Sequence, residues 1–221
     1  MKNWLSANRG FLIFLACLGV FRTAVADWNP IPSGSMRPTI LEGDVVLVNR
    51  LAYDLKVPLT DVSLARLGEP LRGDVVTFSS PTDGTRLIKR LVALPGDVVE
   101  MKDEVLSING KTAQYEDLST LAEPVAPGMN VQATRATESG VGRTREVQFL
   151  QGVAARRSFS PVVVPAGHYF MLGDNRDNSA DSRYIGFVPR ELLIGRAAHV
   201  LVSADITGNW MPRFGRMGQA L

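Results

Sequence analysis

Arg86–Asp97 reads RLIKRLVALPGD: a run of alternating apolar and basic residues that stops at a Pro-Gly-Asp turn. Eight residues rich in Leu, Ile and Val, closed by a turn signal, predict a β-strand. Alternation places Lys89 on one face with Leu87, Leu91 and Ala93, and Ile88, Arg90 and Val92 on the other. A lysine on an apolar strand face loses hydration, which lowers its pKa and can leave the amine neutral near pH 7–8. Ile88 and Val92 make the opposite face apolar too, so the pattern also allows a solvent-facing Lys89 in a basic rim with Arg86 and Arg90.

Outward from this strand the chain repeats the same grammar. Val45–Val48, Val75–Phe78, Val98–Met101, Glu146–Leu150, Ser160–Val164, His168–Leu172 and Ile194–Val202 read as short strands. Glu42-Gly43-Asp44 and Arg72-Gly73-Asp74 punctuate them, and Asn109-Gly110 between Glu104–Ile108 and Lys111–Tyr115 is a hairpin signal. Only Val62–Leu67 and Asp117–Ala122 suggest helix. The expectation is a mainly β fold. Residues 102–157 are more polar and carry Glu123-Pro124, Pro127-Gly128 and Gly140–Arg145, the loop chemistry of an inserted lobe.

Composition excludes several classes. A formal net charge of +2 predicts no nucleic-acid partner, and a single cysteine, Cys17, rules out an intrachain disulfide or a cysteine-based zinc site. The two histidines exclude an HExxH site, and neither a phosphate loop nor a GxSxG elbow is present. Lysines occur only at positions 2, 56, 89, 102 and 111, so few amines are available as a base.

Phe11–Phe21 is wholly apolar, with Lys2 and Arg9 before it and Arg22 after it. Residues 10–26 would make about 25 Å of helix. The basic start predicts residues 1–9 inside and the rest of the chain outside. Ala24-Val25-Ala26 also matches a cleavable secretory signal. Both readings export the remainder.

Two further segments carry chemistry. Pro32-Ser33-Gly34-Ser35-Met36-Arg37-Pro38-Thr39 presents two hydroxyls on a loop stiffened by prolines and loosened by glycine, a mount suited to a nucleophile as well as an ordinary Ser/Pro loop. Gly173–Arg183 (GDNRDNSADSR) reads as a dense polar network. It resembles a calcium loop, but lacks the terminal bidentate Glu. Asp181 and Arg183, two apart, could point to one side of a strand. At the C-terminus, Trp210, Met211, Phe214, Met217 and Leu221 alternate with Arg213 and Arg216, which suits a docked tail or a membrane-surface contact.

PSGSMRPT, RGDVV (Arg72–Val76), RLIKRLVALPGD and GDNRDNSADSR together resemble, in order and character, the motifs of bacterial type I signal peptidases. The resemblance implies Ser35 as nucleophile and Lys89 as general base. It implies Ser33 as side-chain donor to the oxyanion beside the Ser35 amide, and Ser179 as the hydroxyl that orients the lysine. Asp181 and Arg183 become a supporting salt bridge, and Met36 and Pro32 border the substrate. It further implies a signal-peptidase-type β-fold catalytic domain (27–101 and 158–221), a smaller inserted β-rich domain (102–157) and an uncleaved N-terminal transmembrane helix (10–26). Exported preproteins and the lipid bilayer are the implied partners, with no cofactor and no metal. The implied location is the bacterial inner (cytoplasmic) membrane, single-pass, with the catalytic domain on the periplasmic side. A Ser-His-Asp hydrolase would need His168 or His199, both in apolar strand-like runs. A self-cleaving serine–lysine protease of the phage-repressor kind would carry an N-terminal DNA-binding domain. An exported β-rich binding protein that has lost catalysis is the third alternative.

Overall fold

A computed structural model of the chain describes residues 4, 7–60, 62–126 and 128–221. Lys2, most of the expected 1–9 flank and Pro127 lie outside the described residues. The chain opens with helix α1 (Arg9–Ala24) and continues as β1 (Ala26–Pro30), β2 (Asp44–Asn49), β3 (Asp54–Lys56), β4 (Ser63–Arg66), β5 (Val75–Ser79), β6 (Arg86–Ala93), β7 (Val98–Lys102), β8 (Val105–Ile108) and β9 (Lys111–Thr112). Then come β10 (Gln114–Ala126), β11 (Met129–Ser139), β12 (Arg145–Leu150), β13 (Phe159–Val163), β14 (His168–Leu172), a one-turn helix α2 (Ser182–Ile185), β15 (Val188–Pro189) and β16 (Leu193–Ser203).

Seven strands form the principal sheet in the order β1-β2-β16-β5-β6-β14-β15, all neighbours antiparallel. A four-stranded sheet, β13-β7-β8-β9, and a three-stranded one, β10-β11-β12, make up most of the rest. The quoted strand β6 is paired on both edges, by β5 and β14, and everything from Lys89 to Ala93 is buried, so both of its faces meet protein there. That resolves the ambiguity of its alternation: neither face is a solvent rim. Leu91 joins one core cluster and Val92 and Ala93 another, so β6 ties two cores together. The Asn109-Gly110 turn closes β8 onto β9 with both residues at positive φ (52° and 75°), the backbone that this dipeptide accepts most easily.

Several expectations are corrected. Val62–Leu67 is no helix: its centre is β4, an exposed strand paired with β3. Asp117–Ala122 is part of β10, paired residue by residue with β11 beyond a bulge at Glu116–Ser119. Cross-strand pairing overrides weak helical preference in both short segments. The Glu123-Pro124 signal likewise lies within β10. The Pro/Ser/Gly-rich sequence Trp28–Ile40 predicts an irregular loop, but its first residues lie in strand β1, paired with β2, whose ladder starts two residues after the helix ends.

Helix α1 spans 16 residues, and among the described residues no helix is long and apolar enough to cross a membrane. Its Phe11, Phe14, Leu15, Leu18 and Phe21 are exposed. At its end Arg22 stacks over Trp28, 4.5 Å from the ring centroid, and bonds Asp27 at 2.8 Å. The C-terminal segment is held by arginines: Arg213 donates to the Glu42 carbonyl (2.9 Å) and Arg216 to Asp44 (2.6 Å) and the Thr39 carbonyl (2.9 Å). Trp210, Met211 and Phe214 of the same segment are exposed.

Candidate active site

The loop after β1 turns through one 3₁₀ turn, Gly34–Met36, and delivers Ser35 against the middle of β6. Met36 anchors that turn: it is fully buried with Ile31, Ile40, Val46, Val48 and Val75. Its side chain is fully buried and fills core, so packing on all sides holds the turn in place. Pro32 and Ser33 are exposed just ahead of it, and Ser33 holds an extended backbone (φ −134°, ψ 153°).

Lys89 Nζ lies 2.7 Å from Ser35 Oγ and 2.9 Å from the Ile88 carbonyl oxygen. Both side chains are out of water, with Lys89 only 3% and Ser35 8% exposed. Burial drives the Lys89 pKa down from its ordinary 10.5 to about 8, against the opposing pull of the Asp181 and Asp174 charges. A substantial fraction of the amine is therefore neutral at mildly alkaline pH, when it can accept a proton from a hydroxyl. Neither histidine takes this place: His168 Nδ1 contacts the Ala166 carbonyl (2.9 Å) and His199 is exposed on β16.

The segment Gly173–Arg183 wraps the back of this pair. Asn175 donates from its backbone to the Ser35 carbonyl (3.2 Å) and from Nδ2 to the Gly34 carbonyl (3.0 Å), fixing the turn from the far side. Asp174 receives Arg90 through two bonds (2.8 and 2.6 Å) and the Thr39 hydroxyl (2.5 Å). Burial alone would raise the Asp174 carboxyl, but Arg90 and Thr39 outweigh it and hold the group below its usual range. The basic-rim alternative thus fails for Arg90, which is buried and paired.

Asp181 and Arg183 do meet, but not across a strand. Asp181 caps α2, accepting from the Arg183 backbone (3.2 Å), and its carboxylate takes two further bonds from the Arg183 guanidinium, both 2.9 Å. Its second oxygen accepts the Gly173 N–H (3.0 Å), so the pair stabilises the backbone lying against Ser35. Arg183 also donates to the carbonyls of Arg156 (3.1 Å) and Arg176. Breaking a buried, satisfied pair by removing one partner leaves a charge stranded. Arg183→Met is accordingly expected to lower the unfolding free energy by about 3–5 kcal/mol, read by urea denaturation; a loss under about 1 kcal/mol would show that the pair is structurally dispensable.

Ser179 Oγ is buried and, among the described residues, has no hydrogen-bond partner. It stands close to the Ser35 carbonyl: a Cβ on Gly173 would be 2.6 Å from Ser179 Cβ and closer still to Ser179 Oγ and the Ser35 oxygen. No group of His, Cys, Asp and Glu side chains that could hold a metal occurs among the described residues.

Sequence reasoning placed Gly173, Asp174 and Asn175 in a polar network without individual roles and did not connect Arg90 with it. It also missed an ionic cluster on β11 and β12, where buried Glu138 meets Arg145 and, at 2.6 Å, Arg176. Burial pulls the Glu138 carboxyl upward, yet the two guanidiniums prevail and lower it. Their only sequence signal was charge density, which exposed loops share.

The family described as signal peptidase, peptidase S26, matches residues 1–202. Signal peptidase I of Pseudomonas fluorescens is 37% identical over 96% of this chain and 77% of its own length. That of Pseudomonas aeruginosa is 35% identical over the same shares, and that of Rickettsia typhi 35% over 88% of this chain and 79% of its own. A crystal structure of a signal peptidase I from Enterococcus faecalis, 34% identical, aligns over 58% of this chain and 96% of that one with a TM-score of 0.35. A mainly β chain matched in this way over nearly all its length is a peptide hydrolase. The chain belongs to the signal peptidase family, peptidase S26.

Proposed function

We propose that this chain is a membrane-bound serine endopeptidase that removes N-terminal signal peptides from exported preproteins, cleaving after small residues with a Ser35–Lys89 dyad. The observation that carries the reading is the 2.7 Å contact between a buried amine and a buried hydroxyl. Neutral Lys89 takes the Ser35 proton as Oγ attacks the scissile carbonyl; the C–N bond then breaks, the Lys89 ammonium giving that proton to the departing amine and leaving an acyl-enzyme. Neutral again, Lys89 takes a proton from the water that attacks the acyl carbonyl and returns it to Ser35 Oγ as the acyl group leaves as a carboxylic acid. The Ser35 amide and the Ser33 hydroxyl receive the developing negative charge, and exposure leaves Ser33 free to turn toward it. The hydroxyl proposed to orient the amine is that of Ser179, which is buried beside the Ser35 turn and makes no hydrogen bond among the described residues.

The substrate lies extended beside β1, the edge strand of the main sheet, with its main chain paired there. Contacts from β6 back to the β1 side support this placement: Arg86 Nη1 reaches Asp27 (3.0 Å) and Asn29 (3.2 Å), and Lys89 reaches Ser35. The division of labour proposed is a catalytic part of residues 27–101 and 158–221, with 102–157 as the inserted part. Helix α1 is the anchor, its exposed aromatic and leucine side chains facing lipid and Arg22 and Trp28 marking the interface. The catalytic part then lies on the periplasmic face of the inner membrane.

The test is cleavage of a model preprotein in detergent as a function of pH. Because the protonated amine cannot act as base, the rate should fall as pH drops through about 8 and level off above it. A profile flat from about pH 6 to pH 10 would exclude a lysine base with this environment.

A further inference from the structure

Arg37 follows the nucleophile turn by one residue, and its guanidinium is buried between two carboxylates of different origin. Nε donates to Glu42 on the same loop (2.7 Å), and Nη1 pairs with Glu123, which β10 supplies from 86 residues away. The other Glu123 oxygen receives Arg135 of β11 (3.2 Å), and Arg135 Nε donates to Gln148 Oε1 (3.0 Å) on the facing position of β12. Gln148 in turn bonds the Asp174 carbonyl and accepts from the Arg176 amide (both 2.8 Å), bridging to Asn175. Asn175 holds the carbonyls of Gly34 and Ser35. The chain of contacts is a closed ring that leaves the nucleophile turn at Arg37 and returns to it at Asn175.

A second observation is steric. A Cβ on Gly34 would be 2.8 Å from Glu42 Oε1 and 3.1 Å from Arg37 Nε, so the ion pair is seated directly on the backbone that precedes Ser35. Its two carboxylates therefore do more than neutralise an arginine; they fix where the turn sits.

We propose that Arg37 and Glu123 are positioning residues for Ser35: the long β10–β11 ribbon, through this buried ion pair, sets the register of the nucleophile turn against β6. The proposal rests on the dyad reading above. Ser35 Oγ must hold its place to a fraction of an ångström relative to Lys89, and shifting a reacting group by about 1 Å can cost about 100-fold.

The experiment is single-turnover cleavage of a preprotein by the full chain in detergent, enzyme in excess, for Glu123→Gln and Arg37→Lys. Glu123→Gln keeps size but lets go of the charge between two guanidiniums. Arg37→Lys keeps charge but reaches one carboxylate rather than both. The saturating first-order rate should drop about 100-fold in Glu123→Gln and about 10-fold in Arg37→Lys, with half-saturation unchanged within about twofold and the pH inflection unmoved. A merely structural role would thin the folded population, shifting half-saturation and the melting transition while the plateau rate stayed whole; that result overturns the proposal. If Glu123→Gln does not fold, Arg37→Lys decides alone, and a full plateau rate there is equally fatal. Ser35→Ala run alongside separates the two claims: cleavage by that variant refutes the dyad, whereas its silence beside an unimpaired Glu123→Gln refutes only the positioning role.

Discussion

Lys89→Met and Lys89→Arg are each expected to lose preprotein cleavage by on the order of 10,000-fold or more, as is Ser35→Ala, and combining the changes should add little. In the proposed mechanism the two groups act as one unit, so either half alone does nothing. Arginine is the sharper replacement. It preserves length and charge but remains protonated at any working pH, so it cannot receive the Ser35 proton. If Lys89→Arg kept a tenth of wild-type turnover, no lysine base could be operating. Circular dichroism of the variants should match the parent, which separates lost chemistry from lost fold.

Lys89→Met, unlike Lys89→Arg, should move stability the other way. The folded chain holds the Lys89 pKa at about 8, against 10.5 when the amine is ordinarily solvated. Between those values the unfolded chain binds more protons, so stability rises with pH across that window. Below about 8 the burial penalty is fully present and amounts to about 3 kcal/mol at 1.36 kcal/mol per tenfold. Lys89→Met removes it, less the two hydrogen bonds to Ser35 and the Ile88 carbonyl. The variant should therefore unfold at higher denaturant than the parent near pH 7, and the gap should close as pH approaches 10. A base kept neutral by burial is a stability cost located at one residue, and that makes it measurable.

Periodicity and turn residues made the β-class legible, because most strands of the main sheet obey one local rule: a short apolar run closed by a glycine turn. The same rule misled in two places. β4 is exposed on all its residues and carries Leu64, Ala65 and Arg66, a composition with no strand signature, so only its pairing with β3 makes it a strand. β10 bends through a bulge and carries Pro124 within its length, so its extended state comes from β11 alone. Within the site, a loop serine and a strand lysine are local features, but each pattern also allowed a bland reading, and only the resemblance of the four segments taken together implied roles for Ser35 and Lys89. Arg37, Glu123, Arg135 and Gln148 could not be singled out: their meaning arises from partners 86 residues away or on other strands. Charge density in the polar 102–157 stretch suggested loops, whereas part of it forms buried ion pairs with the segments that flank Ser35 and Asn175. Met36, which the resemblance sets beside the substrate, is turned by the Ser35 loop fully into the core.

Gly173→Ala is the second change expected to silence the enzyme, by about 100-fold in turnover with about 1–3 kcal/mol lost in stability. The glycine is not there for its backbone freedom, since its φ does not lie in the left-handed region. Space is the constraint. A methyl group would press on the Ser35 carbonyl oxygen and on Ser179, and the first of these is main chain that cannot swing aside. Gly173 cannot retreat either, because its N–H is held by Asp181 at 3.0 Å and Asp174 next to it is locked to Arg90. The overlap must be relieved by moving the Ser35 turn. Since Met36 fixes one flank of that turn in the core and Asn175 the other, movement there displaces Oγ from Lys89. The expected signature is a fall in the saturating rate far larger than the loss of stability explains, with the protein still folded by circular dichroism. Should Gly173→Ala cleave at the parental rate, the close approach of the two segments would have no bearing on where the nucleophile stands.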